Sequence, residues 1–268
     1  MKGDQLRFWL LLSTGLTFFI AIVLCIRTTV EPDIWWQIRT GEYILQNLEV
    51  PYNDVFSYTY SEVRWINVKW LSEVLMSLVA NSIGAESLFL LQMFVLIGIL
   101  ITFFQIPSIK INQNLNLKIQ QTPAFFFSIL LFLIAFSFRI NARPEMFSHL
   151  FTAIYCLLFW YYLHNRRSYV LLLLIPGSIL WANIHEAYGV GIVFWIIVAV
   201  GRAIELYFKN DPQKTWKNWL YLSAIIVCCF LCSAISPNGT AMWLKPINII
   251  DQLGENQFTT ELIPFTET

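Results

Sequence analysis

The sequence predicts an all-α fold: a polytopic transmembrane helical bundle of about seven spans, with an interfacial amphipathic helix in the first outer loop. Hydrophobic residues fill 57% of the 268 positions and charged residues only 13%, against about 25% charged in a water-soluble domain. Seventeen basic and seventeen acidic side chains are too few to clothe a soluble core of this size. Apolar runs long enough to cross a bilayer recur along the chain, parted by short polar turns. The formal net charge is zero, so no basic bulk points to a nucleic-acid partner. Cys25, Cys156, Cys228, Cys229 and Cys232 all lie in apolar runs and read as small hydrophobes rather than a disulfide framework.

The first apolar run, Phe8 to Ile26, has no small-x-small cleavage site and closes on Cys25-Ile26-Arg27, which marks an anchor rather than a cleaved leader. A polar stretch follows, from Arg27 to Lys69. Trp70 to Ile83 is apolar but carries Glu73 and Asn81 and is short for a span, which predicts the interfacial helix; residues 27–85 form the first extracytoplasmic loop. Six further spans are expected over Ser87–Phe104, Pro123–Phe138, Phe147–Leu163, Tyr169–Ala182, Tyr188–Tyr207 and Leu220–Ala234. Pro176-Gly177 inside the Tyr169–Ala182 run predicts a kink or a re-entrant segment. Asn112 to Gln121 reads as a cytoplasmic loop. The chain is expected to form a single transmembrane domain, with 236–268 an outer tail or the start of a further C-terminal part.

With a cytoplasmic N-terminus, the inner segments carry ten basic residues against three acidic ones, and the outer segments seven basic against fourteen acidic. The basic excess inside agrees with that orientation, and the expected location is a bacterial inner membrane. Outside, acidic residues collect beside a few arginines in short polar clusters.

The outer loop opens with Glu31-Pro32-Asp33-Ile34-Trp35-Trp36-Gln37-Ile38-Arg39. Pro32 stiffens the turn and holds Glu31 out of a helix, which places both carboxylates where the first span ends. Two readings fit. Glu31 and Asp33 form a catalytic pair able to share a divalent cation, Mg2+ or Mn2+, with Trp35 and Trp36 packing nearby and Arg39 facing phosphate or carboxylate. Alternatively the segment is an interfacial tryptophan belt with an N-capping aspartate. Asn53 and Asp54, farther along the loop, are either loop caps or site groups. Arg139 and Arg143, four apart between two spans, suit a phosphate clamp or snorkelling toward headgroups. Asn183, His185 and Glu186 sit together between apolar helices, where facing lipid is costly and facing a cavity is not. Ser236-Pro237-Asn238-Gly239 ends the last span and reads as its cap, while Asn238-Gly239-Thr240 matches a glycosylation acceptor. In this layout all of these clusters face the outer compartment.

In these stretches the sequence resembles bacterial multi-span glycosyltransferases of the GT-C class. The segments that carry the resemblance are EPDIWWQIRTGEYIL (31–45), VPYNDVFSYT (50–59), WINVKWLSEVL (65–75), RPEMFS (143–148), WANIHEAYGVG (181–191) and SPNG (236–239). Pro32, Asp33, Trp35, Trp36 and Gly41 match a Pro-Asp-x-Trp-Trp-x-x-x-x-Gly pattern common in that family. Gln37 stands where many relatives have histidine, Asn67-Val68-Lys69 replaces a histidine-asparagine-type pair, and Glu186 takes a position where glycine is frequent. The resemblance implies a GT-C-type bundle with a large first outer loop, and a chain shorter than most relatives. It implies a polyprenyl-phosphate-linked sugar as donor, an acceptor that is a glycan, lipid or protein, and inverting transfer at the outer membrane face. It makes Asp33 the general base or metal-associated carboxylate with Glu31 beside it, puts Arg143 on the donor phosphate, and has His185 assist the leaving group.

Inverting transfer needs a carboxylate to accept the hydroxyl proton of the attacking group and positive charge for the departing phosphate. A transporter or flippase places its polar groups nearer mid-membrane and commonly shows inverted repeats, neither of which is visible here. The alternatives are a non-catalytic membrane protein that binds lipid or glycan or acts as a scaffold, and a transporter or flippase.

Overall fold

The computed structural model describes residues 3–26, 32–59, 61, 63–105, 123–165, 168–208 and 215–244. Among these residues the regular structure is helical, in the order α1 (Gly3–Cys25), α2 (Ile34–Asn47), α3 (Trp70–Ile83), α4 (Phe89–Phe104), α5 (Pro123–Phe136), α6 (Glu145–Asn165), α7 (Leu174–Ile184), α8 (Tyr188–Phe208) and α9 (Thr215–Cys232). Short 3-10 turns lead into α4 and α7 and close α5. Arg27, Glu31, the loop from Asn112 to Gln121 and the tail beyond 244 lie outside the described residues.

Four stretches are long and apolar enough to cross a membrane: Phe8–Cys25, Ala85–Phe104, Glu145–Leu163 and Tyr188–Phe208. Shorter apolar helices cover Trp70–Ile83, Pro123–Arg139, Ser168–Ile184 and Trp216–Cys232. The side chains agree with a bilayer environment. In α8, Val190, Val193, Ile197, Val200 and Ile204 form an exposed stripe at helical spacing, while Tyr188, Gly191, Trp195 and Ala199 face inward. Water would penalise that stripe and lipid does not.

Two helical groups make the bundle. Tyr155, Leu158, Leu171, Leu174, Trp181, Trp195, Leu222 and Ile225 build one core between α6, α7, α8 and α9. Ala21, Cys25, Leu96, Leu100, Ile129 and Leu133 build another between α1, α4 and α5. Val95, Ile99, Met146, Phe147 and Ile184 join α4, α6 and the end of α7. At Gly191 a side-chain carbon would meet Trp181 at 2.4 Å and Tyr155 at 2.8 Å, so glycine is what lets α8 close onto α6 and α7. Pro176 falls in the first turn of α7, where its missing N–H breaks no helical hydrogen bond; the expected irregularity takes the form of a 3-10 turn running into an α-helix.

The stretch from Arg27 to Lys69 is not uniformly loop. Ile34, Ile38, Gly41 and Ile44 recur at helical spacing and form the buried side of α2. Helices α2 and α3 pack face to face, and apolar and polar side chains share the contact: Ile34, Ile38, Met76 and Ala80 belong to one buried cluster. Gln37 and Thr40 of α2, and Ser72, Glu73 and Ser77 of α3, are buried, whereas Leu78 and Ile83 are exposed. Most of the buried hydroxyls are satisfied within their own helix: Thr40 donates to the Trp36 carbonyl at 2.8 Å and Ser72 to the Lys69 carbonyl at 2.7 Å.

Residues 52–65 fold back on themselves. Asn53 and Arg64 form an antiparallel bridge, and Asp54 accepts hydrogen bonds from the Phe56 and Ser57 amides at 2.8 and 3.0 Å. The Ser57 hydroxyl also donates to Asp54 and, with those amides, holds its carboxyl below the usual range. Of the two alternatives for Asp54, the structure takes the loop cap.

Candidate functional site at the polar end of the bundle

The polar turns after residues 65, 144, 181 and 235 meet at one end of the bundle, and side-chain hydrogen bonds tie them together. Trp70, in the first turn of α3, donates its indole N–H to Asn183 Oδ1 at 2.8 Å. The Asn183 amide donates in turn to the Ile235 carbonyl at 2.8 Å. The Asn238 amide donates to the Asn67 carbonyl at 2.8 Å, and the Asn67 amide donates to Glu73 Oε2 at 2.6 Å. Asn67 Oδ1 accepts from the Lys69 amide at 3.0 Å, closing the turn into α3. Asn238, in the turn expected to cap the last span, holds that turn to the first outer loop.

His185 follows α7 directly. Its Nδ1 accepts from the Ala187 amide at 3.2 Å and lies 2.9 Å from the Ser148 hydroxyl. Trp181 donates its indole N–H to that same hydroxyl oxygen at 2.8 Å, and because Nδ1 accepts from the Ala187 amide the Ser148 hydroxyl is the donor of its pair with the ring. With Nδ1 accepting, the proton of the neutral ring sits on Nε2. Burial pushes the His185 pKa down to about 4; Lys69 and His149 push the same way, and Glu186 and Glu145 oppose. A neutral native ring against an ordinary value of 6.5 sets a sign. Below 6.5 the unfolded chain takes up a proton that the folded chain refuses until about 4, so stability is whole above 6.5 and falls across that window. Thermal unfolding in detergent between these two pH values should show a steeper loss for the wild type than for His185→Gln; parallel curves would refute a buried neutral ring.

Asp33 begins α2, with an exposed side chain that makes no capping hydrogen bond. The N-cap reading of Asp33 thus lacks its hydrogen bond, and the carboxylate is open to solvent. Trp35 and Trp36 diverge, as consecutive helical residues must. Trp35 is 67% exposed. Trp36 turns back toward the bundle, 6.2 Å from the Trp65 ring, with the Lys69 ammonium 5.3 Å from its own ring centre. Lys69 is also the cation whose charge reaches His185, so the start of α2 and the 185 turn are linked through one side chain.

Arg143 is half-buried in the turn before α6. Arg139 is largely exposed and pairs with Glu145 at 3.7 Å. Arg39 points away on an exposed face of α2 and pairs with Glu42 at 2.6 Å, one turn along its own helix, so the structure does not bring it to the site. Glu186 is half-buried beside His185. Of the proposed cation ligands Glu31 and Asp33, only Asp33 is among the described residues, and these bring no three His, Cys, Asp or Glu side chains together around a common point. Positive charge at this end comes from Lys69 and the two arginines of the 139–143 turn.

Ser148, Lys69, Glu145 and Trp70 complete the constellation and were not singled out as site residues from sequence. Glu145 and Ser148 stand three apart in the first turn of an apolar helix, a polar patch that sequence displays but cannot aim. A groove of about 530 Å³ opens beside this constellation, lined by Trp70, Leu71, Ile179, Leu180, Ile235 and Pro237. Its walls are mostly apolar and the Asn183–Trp70 pair forms its polar edge. No family model, curated protein or solved structure matches the chain.

Proposed function

We propose that the chain is an inverting glycosyltransferase of GT-C type, with about seven spans, that takes a sugar from a polyprenyl-phosphate-linked donor at the outer membrane face. The observation that carries this reading is the meeting, at one end of an apolar bundle, of an uncapped carboxylate, the Lys69 ammonium over Trp36 and an apolar groove edged by Trp70 and Asn183. A lipid-linked phosphate presents the complementary set: an isoprenoid tail for the groove, an anion for the ammonium and a sugar beyond it. The shorter apolar helices Pro123–Arg139, Ser168–Ile184 and Trp216–Cys232 supply the remaining three spans.

In this reading Asp33 accepts the proton of the attacking hydroxyl as the new glycosidic bond forms at the anomeric carbon. The bond from that carbon to the phosphate oxygen breaks, and Arg143 with Lys69 stabilises the charge that develops on the leaving phosphate. His185, neutral with its proton on Nε2, donates a hydrogen bond to a phosphate oxygen and does not act as a proton-transfer acid. Asn183, bonded to Trp70, fixes the polar edge of the groove.

Purified protein in lipid nanodiscs, supplied with a polyprenyl-phosphate-linked sugar, should release polyprenyl phosphate and form a product of inverted anomeric configuration. Absence of both donor binding and turnover would overturn the reading. Arg143→Ala should weaken binding of a polyprenyl phosphate about tenfold or more, the worth of one charge-assisted contact, while leaving binding of the uncharged polyprenol unchanged. Equal losses for the two lipids would assign Arg143 to the fold instead.

A further inference from the structure

A row of aromatic rings leads from the exposed outer loop to the start of α2. Phe56, 46% exposed at the tip of the folded-back segment, meets Trp65 edge-on at 6.2 Å. Trp65 meets Trp36 at 6.2 Å, and the Lys69 ammonium closes the row over the Trp36 ring. Trp65 and Trp36 are only half-buried, so their rings keep accessible surface. Trp36 stands one helical turn from Asp33 on the same helix.

We propose that this row is the acceptor subsite and that the acceptor is a saccharide arriving from the aqueous side. The inference rests on the reading of Asp33 as the base, because the acceptor hydroxyl must reach that carboxylate. Three features select a saccharide over a lipid tail. The surface is built of aromatic rings in contact, whereas the groove beside α7 and the stripe on α8 are largely aliphatic. Pyranose rings turn a face of polarised C–H groups to the electron-rich face of an aromatic ring, and the exposed Phe56 and half-buried Trp65 and Trp36 keep ring surface open to such a contact. The row also carries polar edges, with Lys69 at one end and Arg64 over the Tyr52 ring at 4.9 Å near the other, where sugar hydroxyls find donors. A separate approach fits two-substrate chemistry: the lipid-linked donor lies in the groove and the acceptor on the aromatic row, two surfaces that share no residue.

The test is saturation-transfer NMR on full-length protein in nanodiscs, with tetrasaccharides of glucose, mannose and N-acetylglucosamine as probes and farnesyl phosphate binding measured in parallel. At least one tetrasaccharide should receive saturation on its ring C–H protons. Trp65→Ala should weaken that binding about two- to tenfold, the worth of one aromatic face, and leave farnesyl phosphate binding unchanged. Phe56→Ala, at an exposed ring whose loss threatens no core, should weaken it in the same direction. No saturation from any tetrasaccharide, or binding indifferent to both substitutions, would overturn the proposal. Saccharide binding without farnesyl phosphate binding would instead remove the donor reading and leave the saccharide subsite standing.

Discussion

Gly41→Ala should unfold the α2–α3 pair. A single added carbon at Gly41 would lie 2.1 Å from the Glu73 carbonyl oxygen and 2.6 Å from Ser77 Cβ. Both obstacles are helix α3 itself: backbone cannot swing aside as a side-chain end can, so the helices must part. Parting them exposes Thr40, Ser72, Glu73 and Ser77, all buried without measurable exposure, and lifts Trp36 from Lys69. Overpacking of a tight core costs about 1–3 kcal/mol and more where backbone must move, so a loss of about 3 kcal/mol or greater is expected from thermal unfolding in detergent. Gly15→Ala and Gly201→Ala are the controls, because nothing stands within 4 Å of either new carbon; helix interiors favour alanine over glycine by about 0.5–1 kcal/mol. An unchanged melting temperature for Gly41→Ala would mean that the two helices do not touch as described.

Asp33→Asn should lower sugar transfer by about 10²–10⁴-fold, the contribution of a positioned general base. The substitution keeps the shape of the side chain and removes only its proton-accepting charge. Asp33 is exposed and makes no capping hydrogen bond, so the amide costs the fold little. The informative pair of measurements is turnover and polyprenyl-phosphate binding on the same preparation. Turnover lost with binding kept assigns Asp33 to the chemical step. Turnover kept removes it from the site.

The bundle was readable because bilayer crossing demands long apolar runs, and such runs need no partner to be recognised. The stretch Trp70–Ile83 could be bounded from its own residues for the same reason. Helix α2 is half-legible in the sequence: the N-capping alternative for Asp33 marks its start, but not its length. Ile34, Ile38, Gly41 and Ile44 repeat at helical spacing, yet two adjacent tryptophans, an arginine and a glycine gave the segment the composition of a loop. Which way α3 faces was not readable. A helix carrying Ser72, Glu73 and Ser77 invites the assumption that these meet water, and only the neighbouring α2 shows that they turn inward.

The site divides in the same way. Asp33, Trp36, Arg143, Asn183 and His185 stood out individually, since polar residues at the ends of apolar helices are costly without a purpose. Trp35 and Arg39 stood out equally, and nothing local separates them from Trp36; one step of the α2 helix sends Trp35 outward, and Glu42 one turn on engages Arg39.

Composition and the spacing of apolar residues were therefore enough to establish a helical membrane protein with polar turns between its helices, because solvent preference is a property of each segment alone. The tertiary structure decided which turns meet: Asn67 with Asn238, Trp70 with Asn183, and Ser148 with His185. Those partners stand 37 to 171 positions apart, and a hydrogen bond between distant turns depends on how the helices cross, which no local pattern encodes.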